Sequence, residues 1–309
     1  MKPPTELAVR AETRSFYHQA VARAVERIVG DLDQALVLEA LASDACLSPF
    51  HFHRVFRGMV GETPLELMRR LRMERAAWRL IESDRPVTEI AFDAGYETHE
   101  AFTRAFRACY STSPSGFRRR PRARVELAAT SGLHFDPAGT SPVFTPHDSG
   151  GRTMQVEIKD MPELRVGTVR HIGPYNLIYR GFERLGAIVG PAGLLRDPSQ
   201  TMMLAIYHDD PECTPLEKLR SDAGLTVPDG TPLPDGLEEQ RIAGGRYAST
   251  VHEGPYARLG DTWARFMGEW LPASGRRLGA GPSYEVYQNT PENVPEEELR
   301  TELYVPLAC

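Results

Sequence analysis

From Ser15 to about Ser115 the apolar residues recur at helical spacing, with few β-branched clusters and little Gly or Pro, which predicts an all-helical N-terminal stretch. The periodicity then fails. Prolines at 121, 137, 142 and 146 and glycines at 132, 139, 150 and 151 punctuate a polar run between Pro121 and Gly151, which reads as a linker. From Arg152 onward, short β-like segments (Met154–Ile158, Thr201–Tyr207) alternate with amphipathic stretches near 175–189 and 256–271, an α+β pattern. A chain of 309 residues favours two cores over one. The predicted layout is an all-α domain over 1–120, a linker over 121–151 and an α+β domain over 152–309.

Each domain carries an internal repeat. In the first, Ala42-Ser43-Asp44-Ala45 matches Ala91-Phe92-Asp93-Ala94 at an offset of 49, and Phe52, Arg54, Phe56, Arg57 and Pro64 match Phe102, Arg104, Phe106, Arg107 and Pro114 at an offset of 50. The one-residue slip falls in a turn around Cys46 or Gly95, so each copy reads as a short helix, a tight turn and a second helix with inward phenylalanines. These are two helix-turn-helix units. Two recognition helices reach successive major grooves when held about 34 Å apart, and the strut from Leu65 to Ser83 spans about 28 Å as a helix. Its packing stripe is Leu67, Leu71, Trp78 and Ile81.

Charge sharpens this division. The net −6 splits into +4 over residues 1–124 (20 Lys/Arg, 16 Asp/Glu) and −10 over residues 125–309 (16 against 26), which suits a DNA-facing half joined to a half with another partner. The four cysteines, Cys46, Cys109, Cys213 and Cys309, are far apart and read as reduced thiols, Cys309 the most exposed; neither a zinc site nor a disulfide framework is indicated. No apolar run approaches a membrane span, and Met1-Lys2-Pro3-Pro4 opens no signal-peptide core, so a cytoplasmic protein is expected.

The second copy of the first repeat, Ile90 to Phe117, reads IAFDAGYETHEAFTRAFRACYSTSPSGF and resembles the signature of the AraC/XylS family of transcription regulators. Cys46 and Ser111 depart from it, each standing where the family has Gly. The resemblance implies DNA binding by Ser48, Phe50, His53, Arg54 and Arg57 in the first unit and by His99, Glu100, Thr103, Arg104 and Arg107 in the second. Ser48 would cap the first recognition helix, with Pro49 at its first position. Arg54 and Arg104 either donate to guanine edges or neutralise phosphates. Glu100 has the chemistry to accept from a cytosine amino group. The run Arg118-Arg119-Arg120, with Arg122 and Arg124, either grips DNA backbone or starts a solvated linker, and His51 and His53, two apart on a helix, do not form a catalytic pair.

In the C-terminal half, His171-Ile172-Gly173-Pro174-Tyr175 recurs as His252-Glu253-Gly254-Pro255-Tyr256 at an offset of 81, and Tyr207, Pro211, Leu219, Arg220 and Asp222 recur as Tyr287, Pro291, Leu299, Arg300 and Glu302 at an offset of 80. Two βαββ-like units about a pseudo-twofold axis follow, with a ligand groove expected at their interface, on the sheet face away from the helices. Along Thr301-Glu302-Leu303-Tyr304-Val305 the strand period puts Glu302 and Tyr304 on one face and Leu303 and Val305 on the other. From about Met154 to Leu307 the chain resembles the GyrI-like effector-binding domain, which implies a cationic, lipophilic effector held by Glu302 with rings from Tyr304, Tyr287, Trp263 and Tyr175. A carboxylate without a basic neighbour suits such a ligand; the alternative for Glu302 is a structural pair with Arg220 or Arg300.

Together these features point to a ligand-responsive, non-enzymatic transcription regulator without cofactor, metal or catalytic residues. Its expected partners are double-stranded DNA, a small-molecule effector and RNA polymerase, with no membrane, as a monomer or weak homodimer. The competing readings of the C-terminal half are a small-molecule hydrolase, with a Glu as general base, and a module that inhibits a protein partner.

Overall fold

The structure, a computed structural model, describes residues 6–120, 124–139, 144–146, 154–195, 201–209 and 214–308. The N-terminal half is helical throughout: α1 (Glu6–Gly30), α2 (Leu38–Asp44), α3 (Pro49–Val60), α4 (Pro64–Glu82), α5 (Val87–Asp93), α6 (His99–Tyr110) and α7 (Pro114–Arg118). The repeat is visible in its ends. Ser48 caps α3 by accepting from the His51 N–H, Thr98 caps α6 by accepting from the Ala101 N–H, and Pro49 occupies the first turn of α3. A reciprocal capping box between Thr63 and Glu66 opens α4, the strut predicted for this segment.

The two sequence departures from glycine carry a conformational cost. Cys46 and Ser111 are the two non-glycine residues with positive φ among the described residues, at 54° and 55°. Gly95, which matches Cys46 in the second unit, has φ 86°. A left-handed conformation costs an L-residue roughly 1–2 kcal/mol that glycine avoids.

Residues 124–139, expected to lie in a linker, are fastened to the strut. Glu74 of α4, buried to 1% exposure, accepts from the backbone N–H groups of Leu127 and Phe135, from Arg70, and lies 3.0 Å from the His134 ring nitrogen. Trp78 packs on Phe135 at 6.1 Å. Arg118 donates to the carbonyls of Leu80 and Arg85 and is a structural clamp, while Arg119 and Arg120 are exposed; Arg122 lies outside the described residues.

The C-terminal half is one eight-stranded antiparallel sheet. Its strands are β1 (Glu157–Met161), β2 (Leu164–Ile172), β3 (Met203–Tyr207), β4 (Arg220–Thr226), β5 (Glu238–Ile242), β6 (Gly245–Glu253), β7 (Tyr284–Tyr287) and β8 (Arg300–Pro306), in the order β1-β6-β8-β7-β3-β4-β2-β5. The helices are α8 (Tyr179–Val189) in the first repeat and, in the second, α9 (Leu259–Arg265), a π-helical turn (Phe266–Trp270) and α10 (Leu271–Ser274). The order reads the same from either edge once β1–β4 are exchanged with β5–β8, so a pseudo-twofold axis passes between β3 and β7. Each repeat has one more strand than its βαββ reading, and that strand crosses over: β1 pairs with β6 of the second repeat, and β5 pairs with β2 of the first.

Apolar residues fill both faces of the sheet. On the helix side, Val169, Ala223 and Leu225 meet Leu185 and Val189 of α8. On the opposite side, Val166, Leu204, Ile206, Tyr247, Tyr284, Val286 and Tyr304 form a packed layer. The third core joins the two halves of the chain: Tyr17 and Val21 of α1, Phe52, Phe56 and Met59 of α3, Trp263 and Phe266, and Leu303 and Val305 of β8 belong to one buried cluster. The second helix-turn-helix unit has a separate core of Met73, Leu80, Ile90, Phe102, Phe106 and Phe117.

Candidate functional site

Strand parity sorts the titratable residues of the sheet onto its two faces. On β7 and β8, Glu285 and Leu303 are register partners, as are Tyr287 and Thr301, and this pair of rows faces the helices with Leu303 and Val305. Val286 with Glu302 and Tyr284 with Tyr304 form the rows on the other face.

The other face holds Glu302, and it does not have the environment expected of it. Its Oε1 accepts from the Lys159 Nζ of β1 at 2.5 Å and its Oε2 from the Tyr304 hydroxyl at 2.8 Å. Burial raises its pKa, but the Lys159 ammonium and the Tyr304 hydroxyl outweigh that and hold it below the ordinary glutamate value. The carboxylate therefore has a basic neighbour, supplied by the crossed-over strand rather than by Arg220 or Arg300. Tyr304 is likewise committed, its ring stacked on Tyr284 with centroids 4.8 Å apart and planes 8° from parallel. The repeat mate of Glu302 is Asp222, which is fully buried and held by Arg170, His208 and Gln240. Its pKa, pushed up by burial, is driven far below the usual carboxylate range by those three partners. Glu302 and Tyr304 are thus engaged by Lys159, by Tyr284 and by each other, and buried apolar and tyrosine side chains pack on the face where the groove was expected.

The helix side of the sheet, between α8 and α9, brings together the other three expected residues. Tyr175 meets Tyr207 edge-on at 4.7 Å, Phe182 of α8 meets Tyr287 at 5.4 Å, and Tyr256 meets Tyr287 at 5.5 Å. The Tyr207 and Tyr287 hydroxyls lie 2.9 Å apart across the pseudo-twofold axis. At the floor is a residue the sequence reading missed: Glu285, 3% exposed, whose Oε1 accepts from the Trp263 indole N–H at 2.6 Å and whose Oε2 accepts from the Tyr287 hydroxyl at 2.9 Å. Both donors are neutral. Burial, and next the Glu285 charge, raise the Tyr207 and Tyr287 pKa values well above that of a free phenol, so both remain protonated donors. The signal for Glu285 lay in the repeat: an offset of 80 carries Ala205 onto Glu285 two residues before the Tyr207/Tyr287 pair, hence on the same face.

One wall of this aromatic cage comes from the N-terminal half. The Arg54 guanidinium of α3 lies over the Trp263 ring at 4.2 Å and over the Phe50 ring at 4.4 Å, and its charge lowers the Tyr207 pKa in opposition to burial. His51 Nε2 is 2.9 Å from the Ser283 hydroxyl oxygen. Along the same helix, the backbone of Gly58 crosses that of the π-helical turn so closely that a Cβ on Gly58 would fall 2.1 Å from the Ala264 carbonyl oxygen, and one on Gly268 would fall 2.2 Å from the Gly58 Cα.

The ten residues expected to meet DNA consequently divide. In the first unit Phe50 and His53 are buried at 8% and 4% exposure, Arg54 is half-buried over Trp263, Arg57 lies 3.8 Å from Asp261, and Ser48, at the helix cap, is exposed. In the second unit His99, Glu100, Arg104 and Arg107 are exposed and Thr103 is half-buried. Among the described residues no group of three or more His, Cys, Asp and Glu could hold a metal ion, and no helix is long and apolar enough to cross a membrane. Cys46 and Cys109 are exposed free thiols; Cys213 and Cys309 lie outside the described residues.

Residues 154–308 match the profile of the GyrI-like small molecule binding domain, and residues 41–120 match that of a helix-turn-helix domain. Over 159 residues the chain is 31% identical to the probable transcriptional regulator YgiV of Escherichia coli strain K12, covering 50% of this chain and 98% of that protein. It is 28% identical over 162 residues to the DNA gyrase inhibitor of Erwinia billingiae, with 50% of this chain and 98% of the inhibitor covered. To the uncharacterized HTH-type transcriptional regulator YbfP of Bacillus subtilis strain 168 it is 32% identical over 103 residues, 33% of this chain and 35% of YbfP.

Proposed function

We infer the function from kinship and from the cage together: the chain belongs to the GyrI-like small molecule binding family through residues 154–308, with an AraC-type helix-turn-helix region before it, and is a DNA-binding transcription regulator. Its effector is a lipophilic cation received over Glu285. The observation that carries this assignment is a carboxylate at 3% exposure met by two neutral donors and ringed by aromatic side chains. Burial of an anion is unfavourable until a positive charge joins it, and each ring face adds roughly 0.5–2 kcal/mol of cation–π attraction. The flanking phenols, held protonated, are hydrogen-bond donors rather than nucleophiles. DNA is read by the exposed face of α6, with Arg104 and Glu100 toward base edges, and by α3 when that helix is free. The protein works in the cytoplasm where promoter DNA and RNA polymerase are, and two reading helices in one chain let a monomer act.

Calorimetric titration of the full chain with tetraphenylphosphonium and with its neutral analogue tetraphenylmethane tests the effector assignment. Glu285→Gln is expected to weaken the phosphonium at least ten-fold, about 1.4 kcal/mol, and to leave the neutral compound unchanged. Glu302→Gln is expected to change neither by more than two-fold. Equal losses of both compounds in Glu285→Gln, or a phosphonium-selective loss in Glu302→Gln, would overturn it.

A further inference from the structure

We propose that Arg54 is the resident cation of the aromatic cage, and that an effector cation and Arg54 exclude one another, so α3 is available to DNA only after the effector has taken the guanidinium's place. This rests on the assignment of the cage to a lipophilic cation and adds what competes for it.

Four features converge on it. The first is chemical: a guanidinium seated on Trp263 and Phe50 makes the same contact that an effector cation would make with that wall. Trp263 donates its N–H to Glu285, so one indole meets the carboxylate at its edge and the guanidinium on its face, and the carboxylate's negative charge reinforces the cation-binding face of the indole. The second is burial. Three of the side chains expected to enter the major groove, Phe50, Arg54 and Arg57, are turned to the effector domain, and beside them His51 is buried with its Nε2 on Ser283. A groove about 12 Å wide admits a bare helix, not one with a second domain against its reading face.

The third is the Gly58–Gly268 crossing, a fit between backbones that holds only while α3 is seated. The fourth is the internal control: Arg104, the repeat mate of Arg54, sits on α6 with its face open to solvent. One arginine of the pair is thus presented to DNA and the other is kept by the cage.

The test uses the full chain, tetraphenylphosphonium as the cation, and two readouts: affinity by calorimetry, and histidine modification by diethyl pyrocarbonate followed by mass spectrometry, with exposed His99 as the reference. Without the cation, His51, buried with its Nε2 on Ser283, is expected to react at least ten-fold more slowly than His99; saturating phosphonium is expected to bring the two within about two-fold. Arg54→Met is expected to bind the phosphonium roughly ten-fold more tightly than the wild type, and Arg54→Lys to fall between them. Gly268→Ala, which alters the backbone crossing with Gly58 but no side chain of the cage or of the residues expected to read bases, is expected to expose His51 without any cation and to tighten phosphonium binding as well. If the wild type binds phosphonium while His51 stays protected, or if wild type, Arg54→Met and Gly268→Ala bind it equally, mutual exclusion is overturned and the cation assignment stands. If none of them binds phosphonium, both fall.

Discussion

The two helix-turn-helix units come from one repeated sequence pattern and live in different surroundings. In the second unit, Phe102 and Phe106 close a core made of that unit's own helices and the strut, and the reading face of α6 looks into solvent. In the first, Phe52 and Phe56 are equally buried, but their core continues through Trp263 and Phe266 into the sheet at Leu303 and Val305. Similar inward phenylalanines therefore build a free-standing unit in one place and half of a joint in the other. What separates them is the outer face: Phe50, His51, Arg54 and Gly58 find an aromatic wall, a hydroxyl and a matching glycine in the effector domain, whereas the outer face of α6 finds water.

The sharpest way to break this contrast is to empty the two cores in turn. Phe52→Ala and Phe102→Ala should each cost about 3–5 kcal/mol by the lost burial and the cavity left behind. Only Phe52→Ala should also loosen the effector domain, seen as faster amide hydrogen exchange in Arg300–Pro306; the same acceleration from Phe102→Ala would show the two units equally coupled.

Of the two units, the first should be the one that mild acid weakens. His51, buried against the effector domain, has its pKa pushed down from 6.5 to about 4 by burial and then by the Arg54 charge. The docked form therefore binds fewer protons than the undocked one. Its stability is complete above the ordinary histidine pKa and declines as pH falls from about 6.5 toward 4, by about 1.4 kcal/mol per pH unit at the steepest. Thermal unfolding between pH 7 and 5 should show the first unit losing stability, and His51→Asn should flatten the dependence; an unchanged slope in that variant would assign the acid sensitivity elsewhere.

The smallest effects should come from the two strained turns. Cys46→Gly and Ser111→Gly relieve left-handed residues and should each stabilise by roughly 0.5–1 kcal/mol after the entropy of a freer unfolded chain is counted. Cys46→Gly should raise the transition shared with the effector domain and Ser111→Gly that of the second unit, as scanning calorimetry would separate them.

Much of this was legible in the sequence because helical periodicity, caps and repeats are local. The strut, the Ser48 cap and the duplicated units follow from spacing; Tyr175, Trp263 and Tyr287 were named by kinship, but with Glu302 and Tyr304 on the face away from the helices rather than on the helix side where they lie. Strand parity also placed Glu302 and Tyr304 correctly on one face and Leu303 with Val305 on the other. Parity does not say which face holds the opening, and Lys159 reaches Glu302 from 143 residues away on a strand that crosses between repeats. Glu285 was hidden for a different reason: identical pairs mark a repeat, and here the informative position is a mismatch, Ala205 against Glu285. The docking of α3 has no local signature at all, since a glycine that permits backbone contact looks in sequence like any glycine in a helix.

That mismatch sits where the two halves of the sheet meet, for Ala205 and Glu285 are direct register partners across the β3–β7 seam. Two separate copies of one unit, related by a true twofold, would have to place either no carboxylate there or two, and two anions side by side would repel each other or share a proton. Fusion of the copies into one chain removes that restriction on stoichiometry. The seam then carries a single negative charge, and a cation received there would bind once per chain.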